Sequence, residues 1–167
     1  MGQAASPPMT DISEYDRGLP RKRVAAGMLS FDDKGQVLLV DPVYKEPWKI
    51  PGGAVEADES PRAAAQREVK EELGLTTEPG RLLGIDWTAE RPGRSEGIVM
   101  IFDGDQLHPG TIKTIQLDPT ELRAYAFVPL DQLDSKLIPN LARRVRTCTH
   151  AHTQGTTTNM ENGTPAT

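Results

Sequence analysis

Gly53-Ala54-Val55-Glu56-Ala57-Asp58-Glu59-Ser60-Pro61-Arg62-Ala63-Ala64-Ala65-Gln66-Arg67-Glu68-Val69-Lys70-Glu71-Glu72-Leu73-Gly74-Leu75 is the stretch around which the rest of the chain is organised. Ser60 can accept from the free N–H groups of a first helical turn, and Pro61 has the fixed φ that suits the first helical position. Leu73 is the last strong helix former, and Gly74 can close the helix in a left-handed conformation. Between them Ala65, Val69 and Leu73 recur at spacing four, which predicts a helix with one buried face.

Glu68, Glu71 and Glu72 fall at i, i+3 and i+4 on another side of that helix, so three carboxylates share one patch. An acidic solvent face would normally intersperse lysines. Here Lys70 points elsewhere, and Arg67 lies one turn before Glu71. Hard oxygens gathered in this way suit Mg²⁺ or Mn²⁺, cations that take carboxylates, waters and phosphate oxygens together.

The whole spacing narrows the choice. It runs Gly, five residues, Glu, seven residues, Arg-Glu, an aliphatic residue, any residue, Glu-Glu, any residue, Gly, an aliphatic residue. Gly53, Glu59, Arg67, Glu68, Val69, Glu71, Glu72, Gly74 and Leu75 fill every fixed position. Seven fixed identities coincide by chance about once in 10⁸ trials at average residue usage. The stretch resembles the Nudix box, and the chain is identified as a member of the MutT-like Nudix hydrolases. That resemblance implies an α/β fold, an α/β/α sandwich on a mixed β-sheet. It also implies a divalent-metal-dependent hydrolase acting on a diphosphate linkage.

Outward from the box, Val24 to Phe31 and Gln36 to Asp41 read as a β-hairpin about the turn Asp32-Asp33-Lys34-Gly35. Pro42 stops regular structure, and Tyr44 to Ile50 reads as a loop leading into Trp48-Lys49-Ile50-Pro51-Gly52-Gly53. Leu82 to Glu90 and Ile98 to Asp103 read as two further strands joined by Arg91-Pro92-Gly93-Arg94-Ser95. Tyr125 to Val128 reads as a short strand, and Leu137 to Val145 is apolar at helical spacing. Residues 1–20, rich in Ser, Pro, Gly and acidic residues, are expected to form a mobile lead-in, residues 21–147 the domain, and residues 148–167 a disordered tail.

A chain of 167 residues accommodates one domain with a real core. A net charge of −5 provides no general basic surface, which disfavours nucleic-acid polymer and anionic membrane as partners and leaves a small phosphorylated substrate. Cys148 is the single cysteine, so no intramolecular disulfide forms, and it reads as an incidental thiol outside the core. No apolar run reaches the length of a membrane helix and no signal core opens the chain, so a cytoplasmic location is expected.

The resemblance implies a site made of Glu68, Glu71, Glu72 and the backbone carbonyl of Gly52 or Gly53 as metal ligands, with Glu68 also a candidate base. Phe127-Val128-Pro129 resembles the aromatic-Val-Pro segment of many relatives, and Glu121, six residues before it, is the candidate for an extra base or ligand; an ordinary loop carboxylate is the alternative. Tyr44 and Trp48 are aromatic candidates for stacking on a nucleobase, with core packing as the other reading of Trp48. Two alternatives stand beside a hydrolase of a nucleoside diphosphate linked to another moiety. One is a non-catalytic Nudix-fold nucleotide-binding or regulatory module, which the full set of carboxylates disfavours. The other is an isopentenyl diphosphate isomerase, disfavoured because that chemistry needs a core cysteine.

Overall fold

The computed structural model describes residues 12–167; the expectation for residues 1–11 lies outside the described residues. After a short helix α1 (Ile12–Gly18) come β1 (Arg23–Phe31), β2 (Val37–Pro42), β3 (Gly52–Ala54), α2 (Pro61–Leu73), β4 (Leu82–Thr88) and β5 (Gly97–Gln106). Then follow α3 (Pro109–Ile112), β6 (Leu122–Val128), a 3₁₀ turn (Leu130–Ser135), α4 (Pro139–Gln154), β7 (Thr158–Glu161) and β8 (Thr164–Pro165). One mixed sheet runs in the order β6-β2-β1-β5-β4-β7-β8, with β3 on β1. The β1–β5 and β4–β7 pairs are parallel and the remainder antiparallel.

Period-two alternation sorts the buried strand residues between two helical layers. Ala26 and Met28 of β1 turn toward α2, where Ala64, Ala65, Val69 and Leu73 meet them. Leu29 and Phe31 turn the other way, into a cluster with Leu141, Val145 and Cys148 of α4. The expected sandwich is therefore present. Among the described residues no helix is long and apolar enough to cross a membrane.

The hairpin turn forms as read, with the Gly35 N–H donating to the Asp32 carbonyl, but its strands separate almost at once. β1 meets β2 only at Phe31–Val37 and then pairs with β3 at Ala25 to Gly27, while Val40 of β2 exchanges two backbone hydrogen bonds with Lys49. The Trp48-to-Ala54 segment thus wedges into the gap between two strands, which brings Gly52 and Gly53 under α2.

The C-terminal expectation is corrected. Residues 148–167 are not a disordered tail: α4 continues to Gln154, is closed by Gly155 at φ 68°, and the chain then adds β7 to the sheet edge. Cys148 is buried in the core, against Gly84 of β4, where a Cβ would stand 2.9 Å from its sulfur. The Thr- and His-rich composition hid this helix because those residues have weak helix propensity, and packing of Val145, Cys148 and Ala151 overrides it. β7 carries one fully buried apolar side chain, Met160, and its pairing is with a strand about 75 residues earlier, by the spacing of a parallel crossover.

A buried ion pair locks this edge. The Arg144 Nε donates to Asp86 Oδ2 at 2.6 Å, and the Gly163 N–H donates to Asp86 Oδ1 at 3.0 Å. Asp86 is fully buried, so its charge depends on these partners. Two outcomes follow from the ordered C-terminal region. Met160→Ala is expected to destabilise the protein by about 2–5 kcal/mol in urea unfolding. Burial pushes the Cys148 thiol up to about 12. The native protein at pH 8 is therefore expected to react with a thiol reagent about 100-fold or more slowly than the unfolded chain, measured by absorbance.

Candidate functional site

Helix α2 is capped as its sequence predicts: Ser60 Oγ accepts from the Ala63 N–H at 3.1 Å, Pro61 opens the helix, and Gly74 closes it at φ 68°. The three carboxylates it carries do not share one environment. Glu72 is 1% exposed, facing inward beside Val69 and Leu73. The Glu68 side chain is 14% exposed, and that of Glu71 is 52% exposed.

Glu72 meets the inserted segment directly. Its Oε2 accepts from the Gly52 N–H at 3.0 Å, and its Oε1 accepts from the Lys49 ammonium. Lys49 also donates to the Gly52 carbonyl at 2.6 Å. Burial opposes the charge on Lys49, but the Glu72 carboxylate beside it outweighs that, with Tyr44 and Glu68 adding to it, and the lysine pKa is raised.

The two glycines are required by close approach. Gly52 sits at φ 146°, and a Cβ there would stand 2.4 Å from the Ala26 carbonyl oxygen; a Cβ on Gly53 would stand 2.3 Å from Glu68 Oε1. Backbone approach thus demands glycine at 52, while a side chain at 53 would displace the Glu68 carboxylate.

Arg67 organises the remaining carboxylates. It binds Glu59 through two nitrogens at 2.8 and 3.0 Å, Glu68 and Glu71 at 3.0 Å each, and the Ala54 carbonyl at 3.1 Å. A planar guanidinium is suited to such multiple pairing. Arg67 and the Glu56 N–H hold the Glu59 carboxyl down at about 2.

Lys49, Gly52, Gly53, Glu68 and Glu72 line a cleft of about 1140 Å³. Glu68, Glu72, Gly52, Gly53, Glu121 and Tyr44 all face it, so the structure brings together six of the residues singled out from sequence. Glu121 comes from the turn before β6, fixed by its carbonyl accepting from the Val43 N–H at 2.8 Å. Tyr44 offers a ring that is 65% exposed at the rim.

Two of the residues singled out from sequence do not line the cleft. Trp48 does not line the cleft; it packs on the core beside Ile50, with the Lys136 ammonium 4.2 Å over its ring, the core-packing reading of the two given from sequence. Glu71 lies outside the cleft lining, turned to the surface by its pairing with Arg67. Among the described residues no three His, Cys, Asp or Glu side chains are arranged as a ready metal cage. The donor type nevertheless fits a hard cation. Glu72 and the Gly52 carbonyl already converge on one positive charge, the Lys49 ammonium. Lys49 was the residue missed from sequence, and no local signal marks it, since its partner lies 23 residues away.

The NUDIX domain family model matches residues 21–149 of the chain. Diphosphoinositol polyphosphate phosphohydrolase 2 of Rattus norvegicus is 43% identical over 82 residues, covering 48% of this chain and 46% of that protein. A putative ADP-ribose pyrophosphatase of Bacillus subtilis (strain 168) is 36% identical over 77 residues, covering 46% of this chain and 36% of that protein. These matches span less than half the length of either relative. A crystal structure of a MutT protein from Methanosarcina mazei Go1 superposes with a TM-score of 0.64 at 25% identity, covering 83% of this chain and 99% of that one.

The Glu59–Arg67 pair makes a pH prediction. A carboxyl whose pKa drops from 4.5 to about 2 on folding contributes stability above the unfolded value and loses it as pH falls through the folded one. Glu59→Gln is therefore expected to be less stable than the parent at pH 6, with the difference shrinking between pH 4.5 and 2, read by urea unfolding at stepped pH.

Proposed function

The chain belongs to the NUDIX family, and on that premise we propose that it is a Mg²⁺-dependent hydrolase cleaving the diphosphate linkage of a nucleoside diphosphate joined to another moiety. One observation supports this reading above the others. Glu68, Glu72 and the Gly52-Gly53 backbone converge on a single cleft that also receives Glu121.

Glu68, Glu72 and the Gly52 carbonyl are the oxygens that would hold Mg²⁺ or Mn²⁺, with the Gly53 carbonyl as a further donor and Glu71 reachable only from the rim. When bound, such an ion supplies a more acidic water and positive charge for phosphate oxygens. Everything else falls to the chain itself. Lys49 is a flexible cation that can pass from Glu72 to a phosphate oxygen of the substrate. Arg67 holds Glu68 in a defined position by a direct hydrogen bond. Glu68 and Glu121 are the two candidate bases for the attacking water; the Glu121 carboxylate makes no ion pair or hydrogen bond among the described residues, which leaves it free to accept a proton. Tyr44 presents its exposed face to a nucleobase.

Attack of water at phosphorus breaks a P–O–P bridge and gives a nucleoside monophosphate and a second phosphate product. In ¹⁸O-labelled water the label is expected in one of the two phosphates by mass spectrometry; label on a sugar carbon, or released base, would refute attack at phosphorus. Losing groups that merely support a metal ligand costs about 10–100-fold, so Glu72→Gln is expected to lower kcat by about 100-fold or more at saturating Mg²⁺. Near-normal turnover by that variant would overturn the ligand assignment, whereas nucleotide binding by the parent with no turnover at saturating Mg²⁺ would favour a module that binds nucleotide without cleaving it.

A further inference from the structure

Several arginines of this acidic protein pair with a carboxylate: Arg123 with Asp41, Arg144 with Asp86, Arg146 with Asp134. Four cations without such a partner gather at one end of the cleft. Arg23, Lys45, Arg91 and Arg94 make no ion pair with a carboxylate among the described residues, and all four line a smaller recess of about 220 Å³. Arg23, Lys45 and Arg94 face the main cleft as well, so recess and cleft are continuous. Glu68, Glu72 and Glu121 belong to the main cleft and not to the recess.

The arrangement works against stability unless something anionic is placed there. Arg91 and Arg94 stand opposite each other across the Pro92-Gly93 turn, joined by reciprocal backbone hydrogen bonds of 3.0 and 2.8 Å. Like charges directly opposite on paired backbone repel. Gly93, at φ 76°, makes the turn that holds them in this register. Arg23 uses one guanidinium nitrogen on the Ser95 carbonyl at 2.8 Å, and its buried Nε has no partner at all. A buried donor on a charged group left unpaired is costly. Burial, then Lys49, Arg94 and Arg91, lower the pKa of Lys45, so the repulsion reaches across the recess. Against four cations the recess lining offers one free carboxylate, Glu90, because Asp86 behind it is spent on Arg144 and Gly163.

We infer that this recess is a phosphate subsite, and that the moiety beyond the scissile diphosphate itself carries phosphate, so that the substrates are polyphosphorylated and not nucleotides of a neutral sugar. The assignment of the main cleft rests on the hydrolase reading above. A diphosphate lying over Glu68 and Glu72 would extend its far end toward Arg23, Lys45, Arg91 and Arg94. There a phosphate would offset the positive charge of Arg23 and relieve the Arg91–Arg94 repulsion, whereas an uncharged sugar would do neither. Guanidinium pairs are well matched to phosphate oxygens.

Inorganic tripolyphosphate tests the recess without metal and without turnover. By isothermal titration calorimetry at low salt, the protein is expected to bind it saturably, and Arg91→Gln/Arg94→Gln to raise Kd about tenfold or more. Both side chains are exposed, so the variant is expected to keep the parent Tm; Arg94→Gln alone serves as the second variant. An unchanged Kd in both variants, or no saturable binding by the parent, overturns the inference. A kinetic arm compares diadenosine tetraphosphate with UDP-glucose. The ratio of their kcat/KM values is expected to favour the tetraphosphate and to fall about tenfold or more in the double variant, through KM. A parent preference for UDP-glucose would overturn the inference while leaving the hydrolase reading intact. If neither compound is hydrolysed, tripolyphosphate binding alone decides the subsite.

Discussion

The buried Glu72 carboxylate is the constraint on which the rest of the site depends. A charge that is 1% exposed persists only if it is paired and hydrogen-bonded, and Lys49 together with the Gly52 N–H supplies both. Those partners lie on the segment between β2 and β3. The pairing therefore anchors that segment beneath α2 and holds β1 and β2 apart beyond their single contact at Phe31–Val37. The cleft is the space this separation leaves.

Once the inserted segment is held there, its glycines have little freedom of identity. Gly52 passes too close to the Ala26 carbonyl for any Cβ, and a Cβ at Gly53 would push the Glu68 carboxylate out of its place. Arg67 then spreads its guanidinium over Glu59, Glu68 and Glu71, so that three acids on neighbouring turns coexist without a second cation. On the opposite face the Asp86–Arg144 pair performs an analogous task at longer range, tying α4 to β4 and, through Gly163, to the C-terminal strands. Two buried ion pairs thus fasten the two helical layers to one sheet. Removing either partner would leave an uncompensated charge inside.

Charge is distributed unevenly over this frame. The protein is acidic overall, yet three arginines and a lysine without a carboxylate partner gather where the cleft opens into the smaller recess. Fields add locally, so a chain of net charge −5 can still present a strongly positive surface to a small anion. Composition alone concealed this, because it averages over positions that only the fold separates.

What could be read from the chain by itself was local. Ser60, Pro61 and Gly74 bounded α2, the Asp32-to-Gly35 turn was correctly placed, and the spacing of Gly53, Glu59, Arg67, Glu68, Glu71 and Glu72 pointed to the family whose domain model matches residues 21–149. These features depend on residues within a turn or two of each other, where caps, φ preferences and helical periodicity act. Tertiary structure decided the rest. It put Glu72 inside and Glu71 outside, gave Lys49 to Glu72, turned Trp48 into the core, and drew Arg23, Lys45, Arg91 and Arg94 to one recess. It also carried α4 past Val145 to Gln154, and added β7, in a Thr-rich segment whose composition suggested neither. In each case the deciding contact joins residues far apart in the chain, and its free energy exists only after both have been brought into the same dry interior.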